Sequence, residues 1–228
     1  MKNNKAHSDD LFQFGISSGE EHKSPIKVKA KIDNKLKVQN IGDILKLPQV
    51  VQVRGEFTEE MASDFAASFH AAENSGQSII PIVIDSYGGD VYALLSMVDI
   101  IEASSCKVAT IVMGKAMSCG AFLLTCGDEG LRFASPHATI LIHSASGGAF
   151  GNVDEMKINV KELVRVNKKI MEIMSGNCGH KKDYFEKLMA QKKSDWFMNP
   201  VEAKKHNIIN EIRIPEFHVE IASKIEFK

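Results

Sequence analysis

The feature that most constrains this chain is the β-branched, apolar run at residues 79–84, which presents no polar face. A strand that is apolar on both sides must be covered on both sides. That is the pattern of a parallel sheet's interior, not of a half-solvated antiparallel one. Residues 50–53 before it, and 107–113 and 138–142 after it, read as further strands. Amphipathic stretches lie between them. Thr58 can cap a helix whose first turn carries Glu59 and Glu60, with Met61, Phe65 and Phe69 on one face. Val91, Leu94, Leu95, Val98 and Ile101 form a second helical stripe, and residues 117–127 are apolar nearly all round, as in a buried helix. Strands alternating with helices predict an α/β fold built from βαβ crossovers.

The second half continues the pattern. Residues 154–175 predict a long helix whose apolar positions Met156, Val160, Leu163, Ile170 and Met174 keep a 4-3 rhythm, interrupted by Asn167. Such a seam fits packing against a partner or against its own domain. Residues 183–190 predict a short helix. Asn199, Pro200 and Glu202 supply cap, first-turn proline and third-position glutamate for another, and residues 208–214 a last strand. At the N-terminus, residues 1–23 are polar and aperiodic, as in a flexible arm. Residues 26–38 alternate Ile26, Val28, Ala30 and Ile32 with lysines, then resume at Leu36 and Val38, which reads as a hairpin or two edge strands. The expected organisation is an arm over 1–48, a single α/β domain over 49–215 and a tail over 216–228.

Composition narrows the function. Lys plus Arg number 28 and Asp plus Glu 29, a balance that argues against a dedicated nucleic-acid binder. No apolar run reaches the roughly 18 residues of a membrane span, and residues 1–10 lack the apolar core of a secretory signal. The four cysteines form no CxxC pair and no His/Cys cluster has ligand spacing, so buried thiols in a reducing, cytoplasmic compartment are expected, with no metal and no cofactor.

Three local features carry chemistry. The Ser86-Tyr87-Gly88-Gly89 segment, at the end of the buried strand, reads as a turn whose amides can face an oxyanion, or as an ordinary connection. Ser118, where a strand ends and the buried helix begins, is either a helix cap or a nucleophile with the Cys119 N–H as oxyanion donor. His143 closes the 140–142 strand, and Asp195 precedes Trp196 and Phe197. Singly, the histidine reads as structural and the aspartate as a surface residue. His137 and His206 read as loop or surface residues.

Taken in order, these pieces resemble the proteolytic subunit of the Clp protease, the ClpP family, from about residue 50 to 214. The shared parts are the paired-glycine segment, Met117-Ser118-Cys119-Gly120-Ala121-Phe122, Leu141-Ile142-His143, the Gly147-Gly148 strand, the long helix, and Asp195-Trp196-Phe197-Met198 before Pro200-Val201-Glu202-Ala203. The resemblance implies a crotonase-like spiral with a protruding handle helix. It implies a serine endopeptidase with Ser118 as nucleophile, His143 as base and Asp195 orienting it. Gly89 and Cys119 would be oxyanion donors, and Val91 and Ser146 would lie where strands pair with an extended substrate. It further implies seven-membered rings, stacked in pairs around a chamber, fed with unfolded polypeptide by a Clp-type ATPase. An ATPase-independent relative, such as a phage capsid-maturation protease, is the alternative. Tyr87 stands where the family usually has proline, Ser144-Ala145 where it has Gln-Pro, and Ser194 where it commonly has arginine. The arm over 1–48 does not match the family's axial segment.

Overall fold

The computed structural model describes residues 29–31, 48–148, 150–193, 195–216 and 218–220. Near the termini, strand β1 (Lys29–Lys31) pairs antiparallel with β9 (His218–Glu220), Ala30 opposite Val219. The strand therefore forms inside the lysine-alternating stretch, but its described partner is the C-terminal tail. The expected second hairpin arm at Leu36 and Val38, and the 1–23 arm, lie outside the described residues.

The main sheet begins with β2 (Val51–Phe57), β3 (Ile79–Gly89) and β4 (Lys107–Met117), all parallel, joined by helices α1 (Glu59–Asn74) and α2 (Val91–Ala103). Each helix starts at a side-chain cap. Thr58 accepts from the Met61 N–H at 3.1 Å, and Asp90 accepts from the Tyr92 and Ala93 N–H groups at 2.8 Å each. Both faces of β3 are covered, as its sequence requires. Ile80, Ile82 and Ile84 join Phe65, Phe69, Leu94 and Val98 in the main core. Val83 points the other way, into a smaller cluster with Ala109, Ile111 and Phe133.

The sheet forks at β4. Its first half pairs with β5 (Arg132–Ala134), from Thr110↔Arg132 to Val112↔Ala134. Its last residues pair with β6 (Thr139–Ile142), from Lys115↔Thr139 to Met117↔Leu141. Between the two lies Gly114, at φ +101, a conformation that a side chain disfavours. A Cβ there would also stand 3.0 Å from Asp85 Oδ1. The short helix α3 (Cys119–Thr125), buried along its whole length, follows β4 directly. Strand β7 (Trp196–Met198) runs antiparallel to β6, and β8 (Glu211–Ile212) extends β5 in parallel.

Helix α4 (Val153–Asn177) has 25 residues. Asn152 and Glu155 form a reciprocal capping box at its start. Its second half packs Val166, Met171 and Met174 into the core. Its first half leaves Val153, Met156, Val160 and Val164 exposed. Helices α5 (Tyr184–Lys192) and α6 (Pro200–Lys205) close the far side, α6 capped by Asn199 with Pro200 in its first turn.

Arg132 anchors this corner from inside. It is 1% exposed. Its guanidinium donates to the Gly127 and Asn207 carbonyls at 3.1 and 3.2 Å and pairs with Glu129 at 2.9 Å. These bonds are what make a buried charge tolerable there. Among the described residues no helix is long and apolar enough to cross a membrane.

Three local expectations change. The Ser86–Gly89 segment is not a turn; β3 runs on through it, with a register shift against β4 between Ile84 and Ser86. Glycines at φ +104 and +148 keep the chain extended where a side chain would resist. The 208–214 strand shrinks to β8, because Ile208 and Ile209 are buried at the turn before it. Residues 143–148, which include the Gly147-Gly148 strand implied by resemblance, are irregular.

Candidate active site

The fork at β4 brings the chemistry together. Ser118 sits between β4 and α3 at φ 53, ψ −119, outside the regions that a residue with a Cβ prefers. A position of this kind costs about 1–3 kcal/mol and persists only where its surroundings impose it. Here they do. The Ser118 N–H donates to the Leu141 carbonyl at 2.9 Å, and the Ser118 carbonyl accepts the first α3 bond from Phe122 at 3.1 Å. Ser118 occupies the cap position of α3, yet its side chain makes no capping hydrogen bond. The hydroxyl is half-buried at a strand-to-helix elbow, and the cap does not use it.

Gly88 lies against this elbow. A Cβ on Gly88 would come within 2.7 Å of Ser118 Cβ and 3.2 Å of Cys119 N. The missing side chain leaves room in front of both the serine and the Cys119 amide. That amide belongs to the first turn of α3, whose N–H groups have no partner within the helix. Gly89 is pinned elsewhere: a Cβ there would collide with the Phe57 backbone at 2.5 Å. The Gly88 N–H is already engaged, donating to Ser86 Oγ at 3.0 Å.

Cys119 could compete as a nucleophile, but its surroundings oppose it. Its thiol donates to the Gly89 carbonyl at 3.2 Å. Burial, above all, pushes the thiol's pKa up, and the thiolate is the reactive form.

His143 follows the last residue of β6. The β6–β7 register runs Ile140↔Met198, Leu141↔Phe197, Ile142↔Trp196. His143 and Asp195 are the residues just past the end of that pairing, where continuing its register would bring them opposite each other. Since Met117 pairs with Leu141, the elbow serine and the histidine leave neighbouring strands at the same end. His143 is half-buried and Asp195 exposed. Among the described residues the imidazole hydrogen-bonds neither Ser118 nor Asp195. Catalytic hydrogen bonds are often long without substrate and tighten once it binds.

The two substrate-binding expectations fare differently. Val91 opens α2 and is half-buried. Ser146 is exposed in the irregular stretch after His143, so no strand stands there to pair with a peptide. Gly147 and Gly148 are exposed and offer no side chains to stabilise one. One bond does hold this stretch: the Ala145 N–H donates to Asn167 Oδ1 at 2.8 Å. Asn167 was visible in the sequence as the polar interruption of the long helix's seam, but its partner was not.

Beside the site, Lys115 Nζ pairs with Asp85 at 2.7 Å and lies 4.3 Å over the ring of Tyr87, which is 72% exposed. His206 is not the bare surface residue expected. It is half-buried among aromatic rings, with Tyr184 and Trp196 against it. A cavity of about 570 Å³ lies away from Ser118, between α1 and α2, lined by residues including His70, Glu73, Tyr92 and Asp99.

Residues 33–215 match the sequence profile of the Clp protease family, so the match takes in the end of the arm as well as the whole sheet. With the forked parallel sheet and the long helix, that match makes the chain a member of the Clp protease family, a ClpP-like peptidase.

Proposed function

We propose that this peptidase is of the serine type, with Ser118 as nucleophile, His143 as general base and Asp195 orienting the imidazole. The observation that carries the reading is Ser118 itself: a left-handed residue at a strand-to-helix elbow whose hydroxyl caps nothing. Elbows of this kind expose a nucleophile and start a helix whose first amides can receive negative charge. His143 takes the Ser118 proton. The alkoxide attacks a peptide carbonyl, and the Cys119 and Gly89 N–H groups stabilise the tetrahedral anion. Collapse releases the amine, protonated by His143, and water hydrolyses the acyl-enzyme. Val91 and Ser146 would border an extended peptide, with the 143–148 stretch ordering as it pairs.

The substrates are unfolded polypeptides or peptides, cut inside an oligomeric chamber. What supports assembly is the exposed apolar stripe on the first half of α4, which includes Val153, Met156, Val160 and Val164. Seven-membered rings, stacked in pairs and fed by a Clp-type ATPase, are the arrangement we propose. The four free cysteines fit a reducing compartment, the cytoplasm. In organisation, residues 49–215 form the catalytic domain, with the arm over 1–48 and the tail over 216–228 outside it.

Ser118→Ala tests the nucleophile. Peptide hydrolysis should fall by roughly 10³-fold or more with the fold intact by circular dichroism. Turnover near that of the wild type would remove Ser118 from the mechanism.

A further inference from the structure

Asp195 is exposed, and it takes its position from the backbone of the three-residue strand that follows it. That strand is held from behind by side chains. The Trp196 indole is buried, and its Nε1–H donates to Glu202 Oε1 at 2.9 Å. The His206 ring meets the indole edge-on, with centroids 4.7 Å apart and planes at 87°. The Tyr184 hydroxyl lies 2.7 Å from His206 Nδ1. His180 Nε2 donates to the His206 carbonyl at 3.0 Å, and the His180 ring stacks on Tyr184 at 3.8 Å. Contacts thus run without a gap from α5, through the residue that ends α6, to the residue after Asp195.

Burial favours the neutral His206 ring. The phenol oxygen can accept from Nδ1–H or donate to a bare Nδ1, and with either neutral tautomer the 2.7 Å bond holds the ring plane. The ring plane in turn sets the edge-on approach to Trp196. Trp196 lies opposite Ile142, directly before His143. A shift of the indole would therefore move Asp195 relative to His143 and leave the serine elbow untouched.

We infer that Tyr184, His206 and Trp196 are positioning residues that set Asp195 against His143. This rests on the triad assigned above. The three act through Asp195 in this account, so their removal should slow the chemical step without weakening peptide binding.

The test uses the full-length assembled protein, with Tyr184→Phe, His206→Phe and the double variant. Both substitutions keep an aromatic ring and delete one partner of the hydrogen bond. Each single variant should lower kcat by about tenfold, with KM held within about twofold, since small misplacements of catalytic groups act on rate. The double variant should lose no more than either single one, because both delete the same bond. Fluorophosphonate labelling of Ser118 should slow by the same factor. Wild-type kcat in both single variants, a loss confined to KM, or losses that multiply in the double variant would each overturn the inference. Asp195→Asn separates the two levels. If it abolishes turnover while Tyr184→Phe and His206→Phe both keep wild-type kcat, positioning fails and the triad stands. If Asp195→Asn itself keeps wild-type kcat, the triad assignment fails and the positioning role with it.

Discussion

At the scale of single residues, Gly88 and Ser118 shape the proposed reacting centre. Ser118 needs an unusual backbone angle, and Gly88 needs to lack a side chain. The second requirement makes a prediction that substitutes no member of the proposed triad. Gly88→Ala would drive a Cβ to 2.7 Å from Ser118 Cβ at a residue already at φ +104. The variant should fold with a loss of about 1–3 kcal/mol and turn over peptide about 100-fold more slowly. Denaturant titration and peptide kinetics on the same preparation check both figures. Wild-type kinetics would mean that the space before Cys119 is not where the carbonyl sits. This site was partly legible beforehand. The order of residues around Ser118, His143 and Asp195 marked the candidates. The backbone angle of Ser118, the hydroxyl that caps nothing and the role of Gly88 as empty space were not legible, because they depend on how β4 meets α3 and β3 in space.

At the scale of elements, local signals worked where physics is local. Thr58 and Asn199 marked helix starts, since a cap and its N–H partner lie within three residues. The covered faces of β3 followed from its apolar run. What failed was pairing. Nothing in the local pattern says that β4 divides its edge between β5 and β6, or that β1 meets β9. The segment ending in Gly88 and Gly89 looked like a turn because glycine is equally at home in turns and at strand irregularities.

His206 makes the element-scale prediction. Burial, with help from His180, Lys192 and Lys205 and against Glu202, holds its pKa below the ordinary 6.5. Tyr184 faces its Nδ1. A lowered pKa means that the unfolded chain binds this proton more readily than the folded one. The stabilisation is therefore complete above about pH 6.5 and declines as pH falls below it. Thermal midpoints measured between pH 7.5 and 5.5 should fall less steeply in His206→Phe than in wild type. Equal slopes would show that another group carries the acid sensitivity.

At the scale of the whole molecule, the first half of α4 carries an exposed apolar stripe, which we propose a second copy of the chain covers. Val160 and Val164 are 55% and 63% exposed on the free half of α4. A charge placed there should leave the protomer folded but oppose association. Val160→Asp should sediment as a smaller species than wild type, with unchanged circular dichroism. An unchanged sedimentation coefficient would move the assembly surface elsewhere. Family membership was legible from ordered motifs across most of the chain. The stripe's exposure on the protomer was not, since an exposed stripe on a helix reads the same in sequence as a buried one.

The most direct measurement of the central claim is fluorophosphonate labelling followed by peptide mapping, on the wild type and on His143→Ala. The account predicts a single adduct on Ser118 in wild type and its loss when the histidine is removed. Labelling of Ser118 at an undiminished rate in His143→Ala, or an adduct on another residue, would contradict it.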